Sequence, residues 1–246
     1  AGAGVDVTVV EAGDAPLATA LGTRVGAWTA PWYEAAGVRL LTGSPVAAVA
    51  PGEVALASGE VLPADVVLVA VGARPASAWL APTLPLEGDG SLAVDEAYRV
   101  LAAPDLPVVA LGDLARRRSA RHGWVSGGHW DGALRGPAIA VRRLLGGPPQ
   151  PADDLAPYVF STQLGHDLAL YGAPGRDDDV VVRGEVAGAF TALWFAPGSE
   201  RLTGVLAVDT PRDVAAARKL FAGPELPRLD RDAAADPGRP LRSPRA

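Results

Sequence analysis

The chain has 246 residues, of which 49% are hydrophobic and 20% are charged, a balance typical of a globular protein of one or two domains. Its formal net charge of −6 disfavours nucleic acid as the principal partner. The absence of any apolar run of about 18 residues disfavours a membrane span. With no cysteine, the chain excludes disulfides, thiolate nucleophiles and Cys-ligated metals, and three histidines disfavour a histidine-rich metal site.

The first predicted element is a buried strand, a β-branched run over residues 5–10 that ends at Glu11. A helical stretch over residues 16–36, interrupted by Pro31, and a strand over 38–41 follow. A carboxylate at a strand end in such a βαβ unit accepts both ribose hydroxyls of an adenosine and repels a 2′-phosphate. Glu11 is therefore either a nucleotide-binding residue or a solvated strand-end glutamate, and the pattern leaves both open.

Three short apolar segments separated by turns, near residues 46–49, 54–57 and 61–62, predict a small β-meander. The apolar run over 65–71 predicts a further strand that closes on Gly72. A glycine there lets a ligand approach the backbone closely. This order of elements predicts a parallel, doubly wound nucleotide-binding domain that lacks its first strand and the glycine-rich turn after it.

Residues 78–147 predict a second unit with two short strands, at 92–95 and 108–111, and a helix over 130–145. The linker over 150–157, which is rich in proline, predicts a domain boundary.

Three residues of this second unit are candidate ligand contacts. Gly112 and Asp113 follow the second of its strands and place a side-chain-free backbone position and one carboxylate at a strand end. Asp113 is otherwise a helix N-cap, the commoner role of such a residue. Trp130 opens the helix and either leans on a ligand ring or belongs to the core.

The last third of the chain predicts an antiparallel sheet followed by a helix. The helix has Thr210 as N-cap, Pro211 at its first position, Asp213 completing a capping box and Gly223 at C′. The tail from Leu229 predicts an irregular or loosely docked segment. The predicted strands cover residues 158–162, 168–171, 180–186, 190–195 and 202–208.

Taken together, these segments resemble the C-terminal portion of a ferredoxin reductase-type FAD-dependent pyridine nucleotide oxidoreductase, within the pyridine nucleotide-disulfide oxidoreductase superfamily. Residues 110–115, Ala-Leu-Gly-Asp-Leu-Ala, are similar to the family segment whose aspartate meets the ribityl-pyrophosphate part of FAD. Residues 158–163 resemble the aromatic-rich Ser-x-Gln motif of the family's C-terminal domain, and residues 236–241 resemble its closing Asp-Pro-x-x-Pro-Leu.

The resemblance implies an α/β fold with incomplete doubly wound NAD- and FAD-binding domains, followed by an α+β C-terminal domain with an antiparallel sheet. The implied bounds are 1–77 for the NAD-binding domain, 78–150 for the C-terminal part of the FAD-binding domain, and 155–246 for the C-terminal domain. The implied whole protein is longer, with its glycine-rich pyrophosphate loops upstream of residue 1.

The implied activity is that of an NADH-dependent flavoprotein reductase, which passes hydride from NADH to FAD and single electrons to a ferredoxin-like [2Fe-2S] protein. Gly112, Asp113 and Trp130 would contact FAD, and Glu11 and Gly72 would contact NADH. The resemblance implies no catalytic acid–base residue and no metal ligand. It also implies a cytoplasmic location, with neither nucleic acid nor membrane as a partner.

The chain departs from the family pattern at positions near the expected flavin. Gly128 replaces a glutamate, Gly136 and Pro137 replace Gln-Gly, Phe160 replaces a tryptophan, and Thr162 replaces an aspartate. These departures motivate a rival interpretation, a diverged non-catalytic scaffold or binding module of the same fold. A rubredoxin-linked or nitrite-reductase-linked NADH oxidoreductase is a closer rival.

A basic cluster directly follows Asp113 and has two interpretations. Charge runs are usually solvated faces, which is the default here. The alternative is that the cluster attracts an acidic electron-transfer protein to the flavin edge. The cluster consists of Arg116, Arg117, Arg118 and Arg121.

Overall fold

The computed structural model describes residues 4–242, so the outermost residues of the first and last predicted domains lie outside the described part. The chain divides into two compact units, residues 1–71 and 72–246, and each is described by itself. The predicted boundaries at 77/78 and 150–155 stay predictions.

The first unit begins with the predicted βαβ arrangement. Its two strands pair in parallel, with Val7 beside Val38, which is the pairing a helical crossover produces. The connecting helix is divided because Gly22 interrupts it with φ 76° and Pro31 occupies the first turn of a second helix. The elements are β1 (Val7–Val10), α1 (Ala18–Ala27), α2 (Ala30–Ala35) and β2 (Val38–Leu41).

The predicted β-meander is also confirmed, as an antiparallel sheet of three strands. Val54, Leu56 and Leu62 are buried and pack against Val10 and Leu41 at the ends of the parallel pair. This small core therefore joins the meander to the ends of β1 and β2. The strands are β3 (Val46–Ala50), β4 (Gly52–Leu56) and β5 (Val61–Ala64).

The strand predicted over residues 65–71 is wrong. The segment is irregular, and Val66, Leu68 and Val71 are exposed at 88%, 89% and 91%. A strand needs a neighbour that takes up its backbone donors and acceptors, and within residues 4–242 no strand pairs with this run. The apolar composition of residues 65–71 predicted burial, but composition carries no information about whether another strand pairs with them.

The second unit begins with a small mixed sheet and a long helix. Strand β6 (Leu92–Val94) pairs in parallel with β7 (Ala115–Ser119), which pairs antiparallel with β8 (Gly123–Val125). Helix α3 (Trp130–Leu144) follows where the sequence predicts a helix. Side chains from this sheet, from the loop after β6 and from α3 form one core: Leu92, Val94, Tyr98, Val100, Ile139 and Ala140.

The strand predicted over residues 108–111 is wrong, because only Val109 forms an isolated bridge, with Arg99. The chain then turns at Gly112, which has φ +67°, and β7 lies immediately after that turn. Burial along β7 alternates, with Ala115, Arg117 and Ser119 inside. A period of two residues is typical of a half-buried strand. The sequence does not show this period, because residues 116, 117 and 118 are all arginine.

The predicted antiparallel sheet is confirmed with five strands, which lie in the spatial order 179–184, 190–195, 202–208, 166–172 and 158–163. One helix of ten residues and one short helix follow it. The core beneath the sheet contains Leu193, Phe195, Leu202, Val205 and Phe221. The elements are β9 (Tyr158–Gln163), β10 (His166–Gly172), β11 (Asp179–Gly184), β12 (Phe190–Phe195), β13 (Leu202–Val208), α4 (Pro211–Leu220) and α5 (Arg231–Ala235).

Helix α4 begins as predicted, after Thr210, but the predicted capping box is wrong. The Asp213 carboxylate instead accepts hydrogen bonds from Arg183 Nε at 2.9 Å and from Thr191 Oγ1 at 2.8 Å. The prediction of Gly223 at C′ is also wrong, since Phe221 is already the C-cap. The buried Arg183, on a strand distant in sequence, therefore binds the Asp213 carboxylate that was predicted to cap α4.

The prediction of a loosely docked tail is wrong as well. Leu229, Ala234 and Leu241 are buried in the core beneath the sheet. The Arg183 guanidinium also donates to several tail carbonyls, so the tail is held by polar contacts in addition to apolar ones.

The predicted fold class is confirmed: an α/β part with parallel strand pairs precedes an α+β part with an antiparallel sheet. Between residues 4 and 242, the structure contains no helix that is both long and apolar enough to span a membrane.

Candidate functional site

Glu11 lies at the end of β1 and is fixed by hydrogen bonds. Its N–H donates to the Leu41 carbonyl at 2.8 Å, and its carbonyl accepts from the Ser44 N–H at 3.0 Å. Its carboxylate oxygen Oε1 accepts from the Gly13 N–H at 2.7 Å. Burial, and then the negative charge of Glu11, raises the pKa of Tyr33 and keeps that phenol neutral. The first unit thus presents one oriented, partly buried carboxylate at a strand end.

Gly72 is exposed and has φ +96°, a conformation that strongly favours glycine. A Cβ atom there would meet no atom within 4 Å, so its backbone is open to close approach. Gly72 lies in the second unit, and Glu11 lies in the first.

Gly112 and Asp113 form part of a single 3-10 turn in front of β7. Gly112 has φ +67° with open space where a Cβ would lie, and Asp113 is exposed. Asp113 lies inside this turn, and the helix that follows along the chain begins after His129. The alternative role of Asp113 as a helix N-cap is therefore wrong.

Gly127 supports this turn, a role that no sequence motif predicted. A Cβ at Gly127 would lie 2.3 Å from the Gly112 carbonyl oxygen and 2.8 Å from the Asp113 Cα. Only glycine fits, because both neighbouring atoms belong to the backbone and cannot rotate away. The one available signal was the glycine pair, residues 127–128, immediately before the helix.

Trp130 begins α3 and is 67% exposed, so its alternative assignment to the core is wrong. Its ring meets Phe160 edge-on, with centroids 6.0 Å apart. Phe160 is itself 53% exposed, and its ring lies 5.6 Å from that of Tyr158. An aromatic surface from α3 and β9 therefore stands beside the start of α3.

The structure accounts for two departures from the family pattern. A Cβ at Gly136 would lie 2.9 Å from Tyr98 Cζ, so the glycine in the middle of α3 makes room for that buried ring. Gly128 has φ +94° and open space around it, which leaves the backbone accessible directly before α3.

These residues fit a dinucleotide cofactor. Open glycine backbone at Gly112 and Gly128, the exposed carboxylate of Asp113 and the first turn of α3 lie together, because Gly127 packs against the turn of Gly112 and Asp113. A helix N-terminus favours a negatively charged group. A cleft of about 50 Å³ adjoins this turn and is lined by Gly112, Gly127 and His129 together with Tyr98, Arg117 and Tyr158.

The basic cluster after Asp113 is largely engaged in ion pairs. The side chains of Arg117 and Arg121 are only 5% and 7% exposed and lie 3.0 and 3.4 Å from the Asp154 carboxylate. Arg116 pairs with Glu87 at 2.8 Å, and Arg118 with Glu96 at 3.0 Å. The interpretation as a solvated face is wrong for the two buried arginines, and the cluster offers little free charge to a docking partner.

Arg121, paired with Asp154, joins the hairpin of β7 and β8 to the end of α4. Burial raises the pKa of the Asp154 carboxyl, but hydrogen bonds from Ser119 and Arg117 outweigh it, so the pKa lies below its usual value. Arg121 also donates to the carbonyls of Phe221 at 2.9 Å and Gly223 at 2.6 Å. The cluster is therefore a structural junction.

His122 lies at this junction, and we expect it to make stability depend on pH. Burial, reinforced by the charge of Arg121, lowers its pKa to about 4, and its buried Nε2 has no hydrogen-bond partner in the described chain. Because the folded pKa lies below the unfolded value, its contribution is complete above pH 6.5 and is lost as the pH falls toward 4. The loss amounts to about 3 kcal/mol at most.

The measurement is urea denaturation of the protein and of His122→Leu between pH 4 and pH 7.5. The variant should lose less stability over this range than the wild type, whereas exposed His129→Leu should follow the wild type. Identical pH profiles for the wild type and His122→Leu would contradict the assignment.

Comparison with known proteins shows the family of the chain. The family model described as pyridine nucleotide-disulphide oxidoreductase matches residues 1–133, and the model described as reductase C-terminal matches residues 158–244. The chain belongs to the pyridine nucleotide-disulphide oxidoreductase family. The second match covers the five-stranded sheet with its two helices.

Three relatives illustrate the similarity. Rhodocoxin reductase of Rhodococcus erythropolis is 34% identical over 238 residues, which are 94% of this chain and 54% of the relative. The ferredoxin–NAD(+) reductase component of the anthranilate 1,2-dioxygenase system of Burkholderia cepacia is 31% identical over 245 residues, 95% of this chain and 57% of the relative. The crystal structure of the ferredoxin reductase for the CYP199A2 system of Rhodopseudomonas palustris superposes with a TM-score of 0.85 at 27% identity, covering 98% of this chain and 59% of that one. The chain thus spans somewhat more than half the length of these proteins.

Proposed function

We propose that the chain is part of an NADH-dependent flavoprotein reductase that passes hydride from NADH to FAD and single electrons to a ferredoxin-like [2Fe-2S] protein. Family membership and the similarity to ferredoxin reductases support this assignment. The observation that carries it is the open turn of Gly112 and Asp113, held against Gly127 and followed by an exposed Trp130 at the start of α3.

In this proposal, FAD supplies the redox chemistry when bound, because a flavin accepts a hydride and releases electrons singly. Asp113 accepts hydrogen bonds from cofactor hydroxyls, and Gly112 gives the cofactor access to the backbone. Trp130 would offer its exposed indole to an aromatic ring of the cofactor. No acid–base residue of this chain is needed, since its residues bind, orient and shield the cofactor.

In this proposal, Glu11 and Gly72 contact NADH. The oriented carboxylate of Glu11 accepts the ribose hydroxyls of NADH and repels the 2′-phosphate of NADPH. Gly72 allows the nucleotide to approach its backbone. A cytoplasmic location belongs to the same proposal, because that compartment holds both NADH and soluble ferredoxins, and cell fractionation tests it.

The test is NADH-driven reduction of defined acceptors by the protein expressed from its complete reading frame. We expect reduction of a [2Fe-2S] ferredoxin, followed by its visible spectrum, and of ferricyanide. Preferred reduction of a rubredoxin would instead favour the rubredoxin-linked rival. Bound flavin with no NADH-driven turnover on any acceptor would establish the non-catalytic module.

A substitution at Asp113 tests the cofactor site itself. We expect Asp113→Ala to raise the dissociation constant of FAD by about 10- to 100-fold, because a hydrogen bond to a charged group contributes roughly 1.5–3 kcal/mol. The measurement is the flavin-to-protein ratio after dialysis against known FAD concentrations. Asp105→Ala, which alters an exposed loop carboxylate of the same unit, should retain its flavin. Equal flavin retention in both variants would remove Asp113 from the site.

A further inference from the structure

Backbone hydrogen bonds join the loop after β1 to the loop after β2. The Glu11 N–H donates to the Leu41 carbonyl at 2.8 Å. In the other direction, the Ser44 N–H donates to the Glu11 carbonyl at 3.0 Å, and the Gly43 N–H donates to the Gly13 carbonyl at 2.8 Å. The backbone from residue 11 to residue 13 is therefore fixed to the ends of both parallel strands.

Within this fixed loop, Gly13 meets the Glu11 side chain in two ways. Its N–H donates to Glu11 Oε1 at 2.7 Å, a charge-assisted hydrogen bond. A Cβ at Gly13 would lie 3.2 Å from the same oxygen and 3.8 Å from Glu11 Cδ. Any side chain at this position would press on the carboxylate that its own N–H holds.

We propose that Gly13 is a positioning residue for nicotinamide-nucleotide specificity: it holds the Glu11 carboxylate in the orientation that accepts the adenosine ribose hydroxyls and repels a 2′-phosphate. This inference rests on the proposed function, because Glu11 has that role only in a protein that uses NADH. Backbone hydrogen bonds anchor Glu11 at the strand end, and the Gly13 N–H donates directly to its carboxylate.

The chemistry of a carboxylate leaves room for both partners. An ionised carboxylate has about four acceptor positions, and the Gly13 N–H takes one of them. The ribose 2′- and 3′-hydroxyls would use others. A carboxylate that is already fixed loses less rotamer freedom when the nucleotide binds, so the hydrogen bond to Gly13 strengthens NADH binding without touching NADH. A fixed negative charge also repels a 2′-phosphate more effectively than a mobile one.

Gly13→Ala in the complete, FAD-loaded protein tests the proposal. Gly13 does not have a positive φ, so alanine fits the backbone and acts only through its Cβ on the carboxylate. We expect the KM for NADH and the dissociation constant of NAD⁺, measured by calorimetry, to rise about 5- to 10-fold, as for a weakened charged hydrogen bond. The KM for NADPH and kcat should change less than about twofold. Gly88→Ala, whose Cβ meets no atom within 4 Å, is the matched control.

A double-mutant cycle separates positioning from a general structural effect. In a Glu11→Gln background, Gly13→Ala should cause no further loss of NADH affinity if it acts through the carboxylate. An additive loss in that background, or an unchanged preference for NADH in Gly13→Ala, would overturn the proposal. Should Gly13→Ala fold poorly by thermal melting, Glu11→Asp replaces it, since its shorter side chain cannot keep the same contact and should relax the preference equally.

The same measurements distinguish a failure of the proposed function from a failure of the Gly13 inference. A wild-type protein that neither binds NAD⁺ nor is reduced by NADH would refute the proposed function and this inference with it. A wild-type protein that prefers NADH, combined with a Gly13→Ala variant of equal preference, would refute this inference alone.

Discussion

Replacing Arg183 with leucine is expected to lower the free energy of unfolding by about 3–5 kcal/mol, the usual cost of breaking a buried ion pair on one side. The Arg183 side chain is 7% exposed and lies 2.9 Å from Asp213. Its guanidinium also donates to the carbonyls of Ala234 at 3.2 Å and Arg239 at 2.6 Å, and to that of Asp236. The substitution would leave a buried carboxylate and several carbonyls without this donor.

The measurement is chemical denaturation together with limited proteolysis of the tail. Arg176→Leu is the matched control, because Arg176 is exposed and should change stability by less than about 0.5 kcal/mol. Protease cleavage after residue 229 should accelerate only in Arg183→Leu. A loss below about 1 kcal/mol, or a tail as resistant as in the wild type, would show that apolar packing alone docks the tail.

Replacing Gly127 with alanine is expected to release most of the bound FAD. The new Cβ would lie 2.3 Å from the Gly112 carbonyl oxygen and 2.8 Å from the Asp113 Cα and carbonyl oxygen. Because these are backbone atoms, the turn must move, at a cost of about 1–3 kcal/mol for an overpacked site. Displacement of Asp113 should raise the dissociation constant of FAD by at least about tenfold.

Flavin content and thermal stability of the same preparations provide the measurement. Gly188→Ala is the control, since its Cβ would meet one atom, the Glu185 carbonyl oxygen, at 3.9 Å. Gly127→Ala should lose flavin while keeping a cooperative melting transition. Full flavin retention would mean that the turn of Gly112 and Asp113 does not contact the cofactor.

Local sequence signals were sufficient for much of the fold. The five antiparallel strands were predictable because turn residues bound each apolar run, and the start of α4 was predictable from Thr210 and Pro211. These signals lie within a few residues of the elements they specify. Structure that depends on distant partners was missed, as β7 shows: its buried Arg117 requires Asp154, which lies 37 residues further along the chain.

The candidate site also contains residues with a local sequence signal and residues without one. Glu11 and Asp113 were predicted as site residues because a carboxylate at the end of an apolar run is a local signal, although the strand predicted before Asp113 does not form. Gly127 and Gly13 have no such local signal, because their contacts with Asp113 and Glu11 appear only in the structure. Sequence patterns therefore predicted candidate chemical groups, and the structure added the glycines that contact them.

The NADH-dependent reductase assignment is best tested by the visible spectrum of the protein expressed from its complete reading frame, recorded anaerobically before and after addition of NADH and, separately, NADPH. We expect flavin bands that bleach rapidly with NADH and much more slowly with NADPH, because Glu11 would repel the 2′-phosphate. A protein that holds no flavin, or whose flavin neither nucleotide reduces, would contradict the assignment as a reductase.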